Sequence, residues 1–234
     1  MILTAHQPTY LPWLGLFEKI YHCDVFVFFD VGQYLPKEWM NRNYVRSKNE
    51  KIMLTVPVNK KGFLQKDINE ILINYDKNWQ KKHLATIRNC YSKKKFFSKY
   101  FDELENIYLE SPKYLSNLNY NLLTFFLKCL GLKKKIIFAS KLNIVGKKSD
   151  LVLDMCIKAK CNKYIFGEQG VKYAVKEDFL KNNIQIAFQK YKHPTYDQGY
   201  SNFFSHLSVL DLIFNYGPDS LKIIIKGQNN LIYK

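Results

Sequence analysis

Arginine is scarce in this chain: of 36 basic residues only Arg42, Arg46 and Arg88 are arginine, leaving 33 lysines. Bidentate recognition of bases and phosphates leans on guanidinium groups, so the formal charge of +16 does not by itself define a nucleic-acid-binding protein. The lysines fall on polar faces among many Asn, Ile, Tyr and Phe. That pattern reads first as a solvated basic surface, then as attraction to an anionic small molecule or membrane surface, with nucleic acid last. A disulfide framework is also lacking. The five cysteines, Cys23, Cys90, Cys129, Cys156 and Cys161, are an odd set without tight spacing, in a chain of 234 residues that needs no staples. A reducing compartment suits them. No apolar run approaches the roughly 20 residues that span a bilayer, and Met1 to Pro8 lacks the basic start, apolar stretch and small-residue cleavage site of a signal peptide. A cytoplasmic protein without a membrane span is the expectation. His-Glu-x-x-His, paired Cys-x-x-Cys and Gly-x-Ser-x-Gly are all missing, so neither a metal nor a cofactor is expected. Cys23, just before an apolar run, would need a depressed pKa to act as a nucleophile. Disorder is excluded by a content of 47% hydrophobic and 16% aromatic residues.

What is present alternates between strand and helix signals. Ile2 to Ala5 reads as a short buried strand closed by His6-Gln7-Pro8, because proline cannot donate to a ladder. Beyond Pro12, the residues Leu14, Leu16, Phe17 and Ile20 recur at helical spacing. Asp24 to Val31 is a continuous apolar run with an acid at each end of its core, too short for a core helix, and reads as a central strand. Ile52 to Val58 is a third strand ending at Pro57, and Ile71 to Ile73 a fourth. From Trp79 to about Leu130 two or three amphipathic helices are expected, with Trp79, His83, Ile87 and Tyr91 on one face and a new helix from about Pro112. Lys135 to Ser140 and Tyr164 to Gly167 read as strands separated by a helix from Ser149 to Ala159, a pattern that argues for a parallel pair. A strand at Ile184 to Phe188 precedes a helix at Ser208 to Phe214, capped by Asn215 and Gly217. The fold class is therefore α/β: a mostly parallel sheet flanked by helices, with a helical insertion in the middle of the chain. Residues 1–234 are expected to form a single domain, with 79–131 as the insertion or subdomain.

Four clusters place polar and aromatic residues in turns, where packing alone would not demand them. They are His6-Gln7-Pro8-Thr9-Tyr10-Leu11-Pro12-Trp13-Leu14-Gly15; Trp39-Met40-Asn41-Arg42-Asn43, preceded by Asp30 and Gln33; Phe166-Gly167-Glu168-Gln169-Gly170 with Tyr173; and Tyr191-Lys192-His193-Pro194-Thr195-Tyr196-Asp197-Gln198, leading into Leu207-Ser208-Val209-Leu210-Asp211. In order and type these motifs resemble the WbqC-like family, from about residue 1 to about residue 218. The resemblance implies a role in O-antigen or other surface-polysaccharide assembly, as a transferase moving a glycyl-type or other acyl group to an amino sugar. Its implied partners are a nucleotide-linked amino sugar and an acyl donor or carrier protein. Glu168-Gln169 departs from the family, which tends to small residues there.

Individual residues admit a functional and a structural reading. His6 has a side chain whose ordinary pKa suits proton transfer near neutral pH, or it pins the turn through its ring nitrogens. His193, in a second His-Pro turn, is read in the same two ways. Asp30 either orients a catalytic histidine or pairs with Arg42. Arg42, between Asn41 and Asn43, could clamp a diphosphate or carboxylate. Gln7 and Asn41 could donate to an oxyanion. Gly167 and Gly170 let backbone amides approach a ligand or simply shape a turn. Tyr10, Trp13, Tyr173 and Tyr196 could stack on a sugar or base, or pack in the core. Gln198 and Asp211 complete the expected binding set, Asp211 having a helix cap as its alternative. His22, His83 and His206 read as surface or packing residues. Two rival functions stand beside transfer: a non-catalytic sugar-nucleotide or carrier-protein binding module, and an RNA-binding protein using the lysine surface.

Overall fold

The computed structural model describes residues 1–226 and 231–233. Its centre is a six-stranded sheet in the order β5-β2-β1-β6-β7-β8. These strands are β1 (Ile2–His6), β2 (Val25–Phe28), β5 (Lys135–Phe138), β6 (Lys163–Phe166), β7 (Gln185–Gln189) and β8 (Leu231–Tyr233). The first five run parallel, and β8 joins β7 antiparallel at the edge. Between β2 and β5 lie the hairpin β3 (Arg42–Arg46) and β4 (Lys51–Thr55), then α2 (Trp79–Tyr91), α3 (Phe97–Leu109) and α4 (Leu115–Cys129). The remaining helices are α1 (Leu14–Tyr21), α5 (Lys148–Lys158), α6 (Lys176–Lys181), α7 (Val209–Tyr216) and α8 (Ser220–Ile225).

The apolar run of β2 shows why the sheet is covered on both faces. Side chains alternate across a strand, and Val25 and Val27 point into one core with α5 and α6, while Phe26 and Phe28 point into the other with α1 to α4. All four are buried, as expected of a parallel strand with helices above and below. Thr4 in β1 is fully buried as well, and its hydroxyl is satisfied by donating to the Ile165 carbonyl at 2.7 Å. β1 is joined to β2 on one side and lies beside β6 on the other. Strand order therefore reverses between β1 and β6, and their carboxyl ends open a crevice of the kind in which doubly wound sheets bind ligands.

Several expectations change in detail. The strands at 135–138 and 163–166 are parallel but not neighbours, since β2 and β1 lie between them. Ile71 to Ile73 is not a strand: it makes only the isolated bridges Val58 to Ile73 and Leu72 to Tyr114, because the segment shares its hydrogen bonds between the hairpin end and the start of α4. The Arg42-Asn43 segment, read as a turn, is the start of β3, paired with β4 from Arg42 opposite Thr55 to Arg46 opposite Lys51. The helix expected from Pro112 begins at Leu115. Among the described residues no helix is long and apolar enough to cross a membrane.

Candidate functional site

The crevice between β1 and β6 widens into a cavity of about 880 Å³, within the size range of small-molecule sites. One wall is the loop after β1, with His6, Gln7, Thr9 and Trp13. A second is the end of β6 and the turn beyond it, Phe166 to Gly170 and Tyr173. Lys148, Leu151, Val152 and Met155, spaced along one face of α5, form a third, and the lining further includes Lys19, Glu38, Trp39, Asn43, Gln189, Tyr191 and His206.

His6 is the last residue of β1. Its Nδ1 lies 2.7 Å from the Gln7 carbonyl, and since a carbonyl only accepts, Nδ1 carries the proton and Nε2 the free lone pair of the neutral ring. Burial, reinforced by the nearby Lys19 charge, lowers its pKa to about 4, so the His6 imidazole is neutral at physiological pH.

Lys19 projects from α1 beneath the same crevice and is only 3% exposed. Its Nζ donates to the Ala5 carbonyl at 2.9 Å. Burial lowers its pKa to about 8 despite the neighbouring Glu18 carboxylate, which favours the charged form. Glu18 is itself buried and accepts from His22 Nε2 at 3.1 Å and from Gln189 Nε2, while Gln189 also donates to the Gly15 carbonyl at 2.7 Å.

Glycines set the shape. A Cβ on Gly15 would come within 2.3 Å of the Trp13 ring, so glycine there lets the indole fold back onto α1. Trp13 meets Tyr191 edge-on at 5.4 Å and stacks on His206 at 6.0 Å. His206 holds a left-handed backbone at φ 59°, a conformation that non-glycine residues adopt mostly under local constraint.

Of the residues singled out from sequence, the cavity gathers His6, Gln7, Trp13, Asn43, Gly167, Gly170 and Tyr173. The others lie elsewhere. Asp30 accepts from the Ser140 amide at 2.9 Å and hydroxyl at 2.7 Å, tying the end of β2 to the end of β5. Arg42 donates to the Lys37 carbonyl, not to Asp30. Asn41 donates to the Val56 carbonyl at 2.8 Å. Tyr10 is sealed in the core, bonded to His83 Nδ1 at 2.8 Å and to the Tyr108 hydroxyl. Tyr196 donates to Asp211 at 2.9 Å, and Gln198 accepts from Arg46 at 2.9 Å. Asp211 is a fully buried carboxyl with its pKa raised to about 6 by burial, and Ser208 takes the cap position by accepting from the Leu210 amide. His193 stands behind the wall: its Nδ1 donates to the Pro194 carbonyl at 2.8 Å, its ring is 5.1 Å from that of His206, and burial lowers its pKa to about 4.

Lys19, Gln189, Tyr191 and His206 were not among the expected site residues. For Lys19 a signal existed, because Glu18-Lys19 interrupts the short apolar run Leu14 to Ile20, and a helix apolar on several sides leaves a lysine no exposed face. Among the described residues no cluster of three or more His, Cys, Asp or Glu side chains is placed to hold a metal ion.

A doubly wound α/β protein with a largely apolar cavity carrying a few polar groups at its strand-order reversal is the class that fold and site define. The chain belongs to the WbqC-like protein family, whose model matches residues 7–223. It is 31% identical over 221 residues to the uncharacterized protein Rv1507c of Mycobacterium tuberculosis, a match covering 92% of this chain and 95% of that one. No solved structure matches the chain significantly.

Proposed function

We propose that this chain is a transferase of surface-polysaccharide assembly that moves an acyl group, of the aminoacyl (glycyl) type, onto the amine of a nucleotide-linked amino sugar. The observation that supports this most is the neutral imidazole of His6 at the strand-order reversal, protonated on Nδ1 by its Gln7 contact and basic at Nε2. In the proposed reaction the sugar amine forms a new N–C bond to the acyl carbon while the bond to the donor's leaving group breaks. His6 takes the proton released from the attacking nitrogen and returns it to the leaving group. The Gln7 side chain, which lines the cavity, supplies a hydrogen bond to the developing oxyanion; Asn41, committed to the Val56 carbonyl, is not used. Trp13, Tyr173 and Tyr191 offer aromatic faces for the sugar or base.

The test is incubation of the purified chain with a panel of nucleotide-linked amino sugars and activated acyl donors, with products read by mass spectrometry. Acylated sugar nucleotide is expected, and His6→Asn lowers kcat by about 10²–10⁴ with little change in ligand affinity. Absence of both product and binding across the panel would retire the reading. A second reading, a non-catalytic sugar-nucleotide or carrier-protein binding module, is favoured by one observation: His193 does not reach the cavity wall, so His6 has no second histidine to share acid and base work. That reading predicts weaker binding in the His6 variant and no turnover in either protein.

A further inference from the structure

Two features of the cavity floor remain without a structural purpose. The first is Lys19. Its ammonium is almost wholly buried, yet the group it donates to is the neutral carbonyl of Ala5. Glu18, the adjacent acid, offsets part of that charge through space, but the hydrogen bonds it accepts come from His22 and Gln189. An ammonium withdrawn from water is costly unless a negative charge and further acceptors complete it. A Lys Nζ has three donors, and this one opens onto a cavity.

The second is Gly167. Its φ of −70° with ψ of 171° is ordinary extended backbone, open to any residue. A Cβ there would meet one atom only, Lys19 Nζ, at 3.9 Å, which is normal van der Waals contact. Neither backbone conformation nor packing calls for glycine. What its missing side chain leaves is open space beside the ammonium.

We infer that Lys19 Nζ and the space over Gly167 form an oxyanion subsite, filled by a phosphate group of the ligand at the reversal between β1 and β6. The inference rests on the nucleotide-linked sugar read above, and it places that substrate's diphosphate on a residue of α1. Arg42, whose guanidinium is turned to the Lys37 carbonyl, is then not the anchor. An amino-acid carboxylate shares the oxyanion chemistry, and the experiment separates the two.

Inorganic diphosphate is titrated calorimetrically into the full chain at neutral pH and low salt, with Lys19→Met, Gly167→Ala and Lys60→Met compared. Lys60 is a surface lysine on a separate basic depression, so its loss removes the same charge from the protein. The expected result is saturable binding by the wild type, at least tenfold weaker in Lys19→Met, several-fold weaker in Gly167→Ala, and unchanged in Lys60→Met. No saturable binding by the wild type, equal weakening in Lys19→Met and Lys60→Met, or displacement by glycine in preference to diphosphate would each overturn the assignment. Thermal melts guard against misfolding, since a folded Lys19→Met chain that binds diphosphate normally also overturns it. Failure of the transfer reaction with Lys19-dependent diphosphate binding intact would count against the enzyme reading alone. Turnover with an unchanged KM in Lys19→Met would count against the subsite alone.

Discussion

Arg46 and Lys19 are both buried cations, and their surroundings could hardly differ more. Arg46 is 1% exposed and surrounded by partners. Nη1 donates to Gln198 at 2.9 Å, and Nη2 to the carbonyl and side chain of Asn202 at 2.9 and 2.8 Å. The rings of Tyr200 and Phe204 cover the guanidinium at 4.4 and 4.6 Å, and only Nε lacks a partner. Gln198 in turn binds both backbone groups of Phe204 at 2.9 Å. Arg46 is thus a clamp that fixes the 197–204 loop to β3, and its desolvation is offset within the protein. Lys19 donates to one neutral carbonyl, has the Glu18 carboxylate near but bonded to other donors, and faces a cavity. A cation whose donors are used up by the fold explains structure; one that folding leaves incomplete points to something the fold was built to hold.

The largest expected effect comes from opening the clamp. Arg46→Met leaves Gln198 and Asn202 without their charged donor and should cost about 3 kcal/mol or more, since hydrogen bonds to a charged group contribute about 1.5–3 kcal/mol each. Urea denaturation would show it as a lower midpoint, with faster amide exchange in the 197–204 loop. An unchanged midpoint would mean that Arg46 is dispensable to the fold and the contrast with Lys19 empty.

Lys19→Met should act in the opposite direction. The folded-state pKa of about 8 lies below the ordinary 10.5, so between those values the unfolded chain binds more protons and stability rises with pH. Below pH 8 the buried charge therefore opposes folding by an amount on the order of 3 kcal/mol, taking about 1.4 kcal/mol per unit, less the lost hydrogen bond to Ala5. Methionine removes that charge at similar volume. The variant should melt at a higher temperature than the wild type at pH 7, by an advantage that shrinks as pH climbs from 8 towards 10.5. If Lys19→Met is the less stable protein at pH 7, Lys19 is a structural group and the contrast fails.

How far the site could be read from the sequence follows from the same physics. The β1 strand, the loop through Trp13 and α1 were legible because a short apolar run is closed at Pro8 and apolar residues return at helical spacing after Pro12. His6, Gln7, Trp13 and Gly167 were legible as unusual residues in turns at strand ends. Strand order was not: periodicity reports which face is buried, not which neighbour pairs, so the 135–138 and 163–166 strands looked adjacent although β2 and β1 separate them. Nor did local chemistry reveal that the guanidinium to notice was Arg46 and not Arg42. Arg46 finds its partners in residues 198–204, a contact across more than 150 positions that no local pattern encodes. Lys19 escaped despite the apolar run around it in α1, since a lysine in a helix is ordinarily a solvated one.

The smallest expected effect draws the contrast within a single turn. Gly170 is glycine for packing: a Cβ would come within 2.5 Å of the Phe166 side chain, and Phe166 is buried against Phe179 and Phe188. Gly170→Ala should therefore cost about 1–3 kcal/mol, the usual penalty of overpacking a filled core. Gly167, three residues earlier, has no such neighbour, and Gly167→Ala should change stability by no more than about 0.5 kcal/mol, as a substitution that disturbs no packed contact does. The two variants ought to separate cleanly, one lowering the denaturation midpoint and the other lowering only diphosphate affinity. Equal destabilisation by both would show that the turn is a packing element throughout, and the open space over Gly167 would lose its meaning.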